Sequence, residues 1–208
     1  VHTGAVRPTE PELLAARARG IEIVDRLPML LKLAEGKRLL GVAGSHGKTT
    51  TTTLAAAVLI EAGLDPSCAV GGESKAVGSN ARAGRGEWFV AELDESDGHI
   101  ANASCELAVL TNVDREHFDH YDSFESICST FGRFLAATRE EGAVVACADS
   151  AAGNALARAS GKRVLTYGLG AGADFRAEDV SLSGEGSRFR AAAPSGAIED
   201  LFVAMPGI

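Results

Sequence analysis

Aromatic residues are scarce in this chain. Only 5% of its 208 residues are Phe, Trp or Tyr, with one Trp and two Tyr. A core with so few rings must be built from Ala, Val, Leu and Ile, and a hydrophobic content of 46% supplies enough of them. Positive charge is also short: 20 Lys and Arg face 28 Asp and Glu, a net charge of −8. Without a basic footprint or stacking rings, a general nucleic-acid binder is excluded. The four cysteines, Cys68, Cys105, Cys128 and Cys147, are spaced 37, 23 and 19 residues apart. No CxxC pair arises, which excludes a zinc ribbon or a dithiol redox motif and leaves buried free thiols of a reducing compartment. No apolar run approaches the roughly 18 residues of a membrane span, and no charged-then-apolar leader opens the chain. The expectation is a soluble cytoplasmic protein that engages neither membrane nor nucleic acid. Internal repeats are lacking, and 24 Gly with only 6 Pro do not make a low-complexity composition.

What the chain does have is alternation of strand and helix. Residues 1–6 and 21–24 read as short strands, and 11–17 and 27–34 as helices, with Pro11 in a first turn. Apolar runs at 39–44, 88–93, 107–112, 143–148 and 163–167 read as buried strands, separated by helices at 48–62, 123–137 and 151–159. Ser123 is a natural N-cap. Such alternation predicts an α/β fold: a mostly parallel sheet with helices on both faces. After Gly168 the pattern changes. Residues 175–182 and 188–193 alternate around Gly184-Glu185-Gly186, followed by a strand at 198–204, a small antiparallel addition near the C-terminus. The opening βα units look like the end of a domain whose start lies elsewhere, in keeping with a first residue that is Val.

The strongest local signal is Gly41-Val42-Ala43-Gly44-Ser45-His46-Gly47-Lys48-Thr49-Thr50 at a strand-to-helix junction. Glycines let the backbone curl around phosphate oxygens, and the helix N-terminus aims its amides at the anion. Gly44, Ser45, His46, Gly47, Lys48, Thr49 and Thr50 are the candidate nucleotide-phosphate ligands. Lys48 would reach the β and γ phosphates and the Thr49 hydroxyl would take Mg²⁺. The strict GxxxxGK[ST] pattern places Gly where Val42 stands, so the spacing here is a variant, GxxGxxGKT.

Acidic charge is concentrated downstream. Between residues 92 and 125 lie ten acids and one base, a net −9, so the remainder sums to +1. His99, His117 and His120 share that stretch. The strand at 88–93 runs into Glu92, Asp94, Glu95 and Asp97, and the strand at 107–112 into Asp114, Glu116, His117 and Asp119. In an open parallel sheet the carboxyl ends of strands line the binding crevice, so three strand ends would bring Lys48 and Thr49 to one rim with both acidic clusters. Hard oxygen donors beside a triphosphate suit Mg²⁺. Spacing alone does not select the ligand among ten acids, and solvated surface is the common fate of each one singly.

These motifs resemble the Mur ligases of peptidoglycan synthesis. The match runs through GVAGSHGKTTTT at 41–52, Gly71-Gly72, Asn80-Ala81-Arg82, AELDESD at 91–97 and TNVDREHFDHY at 111–121. The resemblance implies three domains, of which this chain carries residues 1–36 as the tail of a UDP-binding N-terminal domain and 37–205 as the central ATP-binding domain. Residues 206–208 would begin the linker to a C-terminal domain. It also implies ATP and Mg²⁺ as cofactors, with Lys48, Glu92 and His117 catalytic and Thr49, Glu92 and His117 holding metal. Asp94, Glu95, Ser96, Asp97 and Asn112 would line the substrate crevice. His46 and the Asp94–Asp97 run are similar to the branch that joins L-alanine to UDP-N-acetylmuramate through an acyl phosphate. Phe131-Gly132-Arg133, with no Lys to carbamylate, agrees with that branch, and Leu93 in place of Ala departs from it. The alternatives are a murein tripeptide ligase of wall recycling, or a P-loop NTPase or nucleotide-binding module without ligase activity. The resemblance does not fix the oligomeric state or, with a third domain absent, the amino acid added.

Overall fold

The computed structural model describes the chain except residues 4–5, 96–98, 116–120 and 206–208, and without the side chains of 197–199. Helices α1 (Pro11–Ala18) and α2 (Arg26–Leu33) precede the sheet. Then follow β1 (Arg38–Ala43), α3 (Lys48–Glu61), β2 (Ser67–Ser74), β3 (Ser79–Arg82), β4 (Trp88–Glu92), a 3-10 turn (His99–Asn102) and β5 (Leu107–Leu110). The remainder is α4 (Phe124–Ala136), β6 (Ala143–Cys147), α5 (Ala151–Ala159), β7 (Val164–Gly168), β8 (Phe175–Ser183), β9 (Gly186–Ala193) and β10 (Gly196–Val203).

One sheet of ten strands results, in the order β10-β9-β8-β7-β6-β5-β1-β4-β2-β3. Every pairing from β8 through β2 is parallel, and the two ends, β8-β9-β10 and β2-β3, are antiparallel. The α/β reading with a C-terminal antiparallel addition therefore holds. β1 sits between β4 and β5, so the three strand ends named from sequence are adjacent.

The core explains why β1 reads as a continuous apolar run. Leu39 and Ala43 face one layer with Phe89, Ala91, Leu93, Phe131 and Phe134, beneath α2, α4 and α5. Leu40 and Val42 face the other with Val90, Val109, Cys68 and Ala56 of α3. A parallel strand buried on both faces cannot alternate with polar residues. α4 presents Ile127, Phe131, Phe134 and Leu135 inward, and its N-cap Ser123 accepts the Ser126 amide, as expected. Ser150 caps α5 in the same way, accepting from Gly153.

Three expectations change. Among the described residues, the strands expected at 1–6 and 21–24 give a parallel bridge, His2 to Asp25, because a lone two-strand pair has no further ladder to support it. β2 and β3 were not anticipated: β2 breaks its apolar run at Gly71-Gly72, and β3 (SNAR) is a polar, largely exposed edge strand. The thiols are free, but only Cys68 and Cys105 are buried, while Cys128 and Cys147 are half-buried. Among the described residues no helix is long and apolar enough to cross a membrane.

Candidate phosphate-binding site

The loop between β1 and α3 is held by the neighbouring strand ends. The ladder continues past the strands: Leu93 donates to Val42 O at 2.9 Å and Thr111 to Ala43 O at 3.0 Å. This brings residues 111–114 alongside the loop. Asn112 grips the backbone of His46 at both ends, its Oδ1 accepting the His46 amide at 2.8 Å and its Nδ2 donating to His46 O at 3.1 Å. The Thr111 hydroxyl donates to the same carbonyl at 2.7 Å. Ser45 Oγ accepts the Asp114 amide at 2.8 Å, and the Ser45 amide donates to Asn112 O at 3.2 Å. Gly44, at φ +133°, passes so close to Thr111 that a Cβ would overlap its hydroxyl oxygen. Gly47, in the left-handed region at φ +76°, turns the chain into α3 with no side-chain cap, leaving the first amides of the helix for a ligand.

Two residues at the start of α3 meet acids from the end of β4. Lys48 Nζ donates to Gly44 O at 2.6 Å, to Ser45 O at 3.3 Å and to Glu95 Oε1 at 3.1 Å. The Lys48 side chain is 15% exposed and that of Glu95 only 2%. Burial pushes the Glu95 carboxyl above its ordinary value, against the pull of the Lys48 ammonium. Thr49 donates its hydroxyl to Glu92 Oε1 at 3.1 Å, and Gly71 N donates to Glu92 Oε2 at 2.7 Å. A Cβ on Gly71 would overlap the Glu92 carboxylate, so this glycine leaves the space the acid occupies.

The sequence-predicted residues thus fall into groups. Gly44 to Thr50, Glu92, Glu95 and Asn112 come together at the carboxyl edge of β1, β4 and β5, with Asp94 half-buried beside them. Within this set Asn112 is committed to the loop backbone and Glu95 to Lys48 beneath it. His46 points its ring at Asp114, with Nε2 3.6 Å from Oδ2. Ser96, Asp97 and His117 lie outside the described residues, as does His120. His99 pairs with Asp25 at 3.3 Å, away from the loop. Thr111, Asp114 and Gly71 were not singled out for the site. Each lies in a stretch the resemblance runs through, and nothing in the sequence says that the Gly71 backbone meets Glu92.

A magnesium ion can be tested against these donors. The Thr49 hydroxyl and Glu92 carboxylate are hard oxygen donors already 3.1 Å apart. Among the described residues no group of three or more His, Cys, Asp or Glu converges as a metal cage. Magnesium needs only one or two hard protein oxygens, as Thr49 and Glu92 provide, and completes its shell with phosphate and water. The residues present therefore fit the ion.

Known proteins similar to this chain identify its family. The description Mur ligase middle domain matches residues 42–208. The chain belongs to the Mur ligase family. Over all 208 residues it is 42% identical to the UDP-N-acetylmuramate–L-alanine ligase of Xanthomonas campestris pv. campestris, and spans 44% of that relative's length. The crystal structure of the UDP-N-acetylmuramate-alanine ligase of Thermotoga maritima superposes with a TM-score of 0.84 at 27% identity, covering 99% of this chain and 46% of that one. The UDP-N-acetylmuramate:L-alanyl-gamma-D-glutamyl-meso-diaminopimelate ligase of Neisseria meningitides gives 0.82 at 22% identity, covering 99% and 68%, and shares the fold.

Proposed function

We propose that this Mur ligase chain is the nucleotide-binding core of an ATP-dependent ligase that joins L-alanine to UDP-N-acetylmuramate in peptidoglycan precursor synthesis. The observation that carries the nucleotide reading is the convergence of Lys48, Thr49 and Glu92 at the open end of a glycine-bounded loop. The alanine-adding branch is supported by 42% identity along the whole chain to a relative bearing that name. Residues 1–36 belong, on this reading, to the end of a UDP-binding domain, 37–205 to the ATP-binding domain, and 206–208 to the start of a linker. The protein works in the cytoplasm, where both substrates are met.

The chemistry asks for positioning and charge neutralisation more than for a covalent partner. The lactyl carboxylate of UDP-N-acetylmuramate attacks the γ-phosphorus of ATP and becomes an acyl phosphate, and ADP leaves. The amine of L-alanine then attacks the acyl carbon, inorganic phosphate departs with the C–O bond electrons, and the amine loses a proton. Lys48 neutralises charge on the β and γ phosphates, and the α3 amides hold their oxygens. Thr49 would hold one magnesium ion and Glu92, together with His117, a second, and the ions would supply charge neutralisation to the phosphates and the attacking carboxylate. Asp94, Ser96 and Asp97 are proposed to face the crevice.

The test is an assay by mass of the protein that carries this chain, with ATP, Mg²⁺, UDP-N-acetylmuramate and L-alanine. The expected product is UDP-N-acetylmuramoyl-L-alanine, formed with ADP and phosphate. Phosphate release that ignores both acceptors would replace the ligase by an NTPase, and ligation of a tripeptide but not of alanine would move the protein to the recycling branch.

A further inference from the structure

Lys48 has no spare donor. An ammonium carries three N–H groups, and three acceptors surround this one: Gly44 O at 2.6 Å, Ser45 O at 3.3 Å and Glu95 Oε1 at 3.1 Å. A phosphate oxygen entering the loop must displace one of them. The acceptors differ in what their loss entails. Ser45 O makes the longest bond and belongs to a half-buried residue, where water can replace the lysine. Gly44 O makes the shortest bond, on a buried residue. Glu95 is a carboxylate on a side chain 2% exposed, and removing the cation from a buried carboxylate is strongly unfavourable. Glu95 is itself fixed in place: it stands two residues beyond Leu93, which is 0% exposed, and its carbonyl accepts the hydroxyl of buried Tyr121.

We propose that Glu95 is a positioning residue for phosphate binding. It stays paired with Lys48 when the phosphate arrives, so the ammonium surrenders Ser45 O, pivots on the carboxylate and turns one N–H toward the phosphate oxygen. The proposal rests on the nucleotide reading above and moves Glu95 from lining a substrate crevice to aiming the lysine. A charged anchor gives the stronger and better-directed hydrogen bond. The negative charge beneath the loop is the cost of that direction, since it opposes the incoming phosphates.

The experiment measures affinity of the protein that carries this chain for a non-hydrolysable ATP analogue with Mg²⁺, by calorimetry, in the wild type, Glu95→Gln and Glu95→Asp. The Gln variant should bind about tenfold more weakly, the loss of roughly one charge-assisted bond, and the Asp variant should recover part of the difference. Acylation of Lys48, mapped by mass, should be faster in the nucleotide-free Gln variant than in the wild type, a change that mere loosening elsewhere in the fold would not produce. Should Glu95→Gln fail to fold, Tyr121→Phe, which releases the Glu95 carbonyl, should weaken analogue binding severalfold. Wild-type binding with equal or tighter binding by every folded variant would overturn the proposal. Failure of the wild type to bind the analogue would instead overturn the nucleotide reading on which it stands.

Discussion

Two stretches of the same sheet edge use their acids in opposite ways. At the ends of β1, β4 and β5, Glu92 and Glu95 face the first turn of α3 and meet a hydroxyl and an ammonium. Beside the ends of β6 and β7, the next two strands of the sheet, the acids serve nearby backbone. Asp149 accepts the amides of Leu169 at 2.6 Å and Gly170 at 3.2 Å. Asp174 accepts both the amide and the hydroxyl of Thr166, at 2.8 and 2.7 Å. Those bonds fasten the connection from β7 to β8 and hold the Asp174 carboxyl below its ordinary value. The difference lies in the partner and not in the position. An acid at a strand end is available to a ligand only when the adjoining loop satisfies its amides by other means. At the phosphate loop Asn112 takes the His46 amide and Thr111 the His46 carbonyl, so that Glu95, and Glu92 with one oxygen on the Gly71 amide of β2, reach the side chains of α3.

Breaking the first region should have the largest effect. Lys48→Ala should abolish the shift in melting temperature that Mg-ATP produces, and should also destabilise the nucleotide-free protein by about 3–5 kcal/mol, because a buried Glu95 loses its cation. Pairing Lys48→Met with Glu95→Leu should recover most of that stability, since apolar replacement of both partners removes the buried charge, without recovering binding. Thermal melts with and without nucleotide read both parts. A Lys48→Ala protein as stable as the wild type would mean that Glu95 is not dependent on the lysine.

A smaller effect should follow from removing the brace. Asn112→Ala leaves the amide and carbonyl of His46 without side-chain partners at a partly exposed position, a loss of about 1 kcal/mol. Denaturant titration should show that loss together with a severalfold weaker affinity for Mg-ATP. Affinity equal to the wild type would show that the loop holds its shape without the clamp.

The smallest effect belongs to the second region. Asp174→Asn should leave nucleotide affinity unchanged and reduce stability at neutral pH by no more than about 0.5 kcal/mol, because solvent screens this exposed carboxylate. Its folded pKa is lowered, so its contribution is present above the unfolded value and disappears as pH falls through the folded one. The wild type should therefore lose stability on acidification through and below the ordinary carboxylate range somewhat more steeply than the variant. Melting temperatures from pH 7 down to pH 3 would show it, and parallel curves would remove Asp174 from the acid response.

The contrast also separates what could be read from sequence. The phosphate loop was legible because its signals are local: an apolar run, glycines, then Lys-Thr at a helix start. The shared rim of β1, β4 and β5 followed from the parallel α/β pattern, in which the carboxyl ends of the strands line one crevice. β2 and β3 escaped because pairing, of β2 with β4 and of β3 with β2, and not their own pattern, makes them strands. The roles of Glu95, Asn112 and Gly71 escaped for a related reason. Each depends on which neighbour its side chain or amide meets across the sheet, and spacing along the chain carries no record of that. Asp149 and Asp174 look no different in sequence from the acids beside the loop.

The position of β1 also bears on the timescale of motion at the site. It is paired on both sides and covered on both faces, so its amides exchange with solvent only through the largest openings of the molecule. The phosphate loop begins one residue beyond it, exposed at His46 and Gly47 and held to residues 111–114 by side-chain bonds. The loop can therefore open and close around a ligand on its own clock, many times for each unfolding of the strand that carries it. The slowest and some of the fastest-exchanging amides of this protein should stand almost next to each other in the chain.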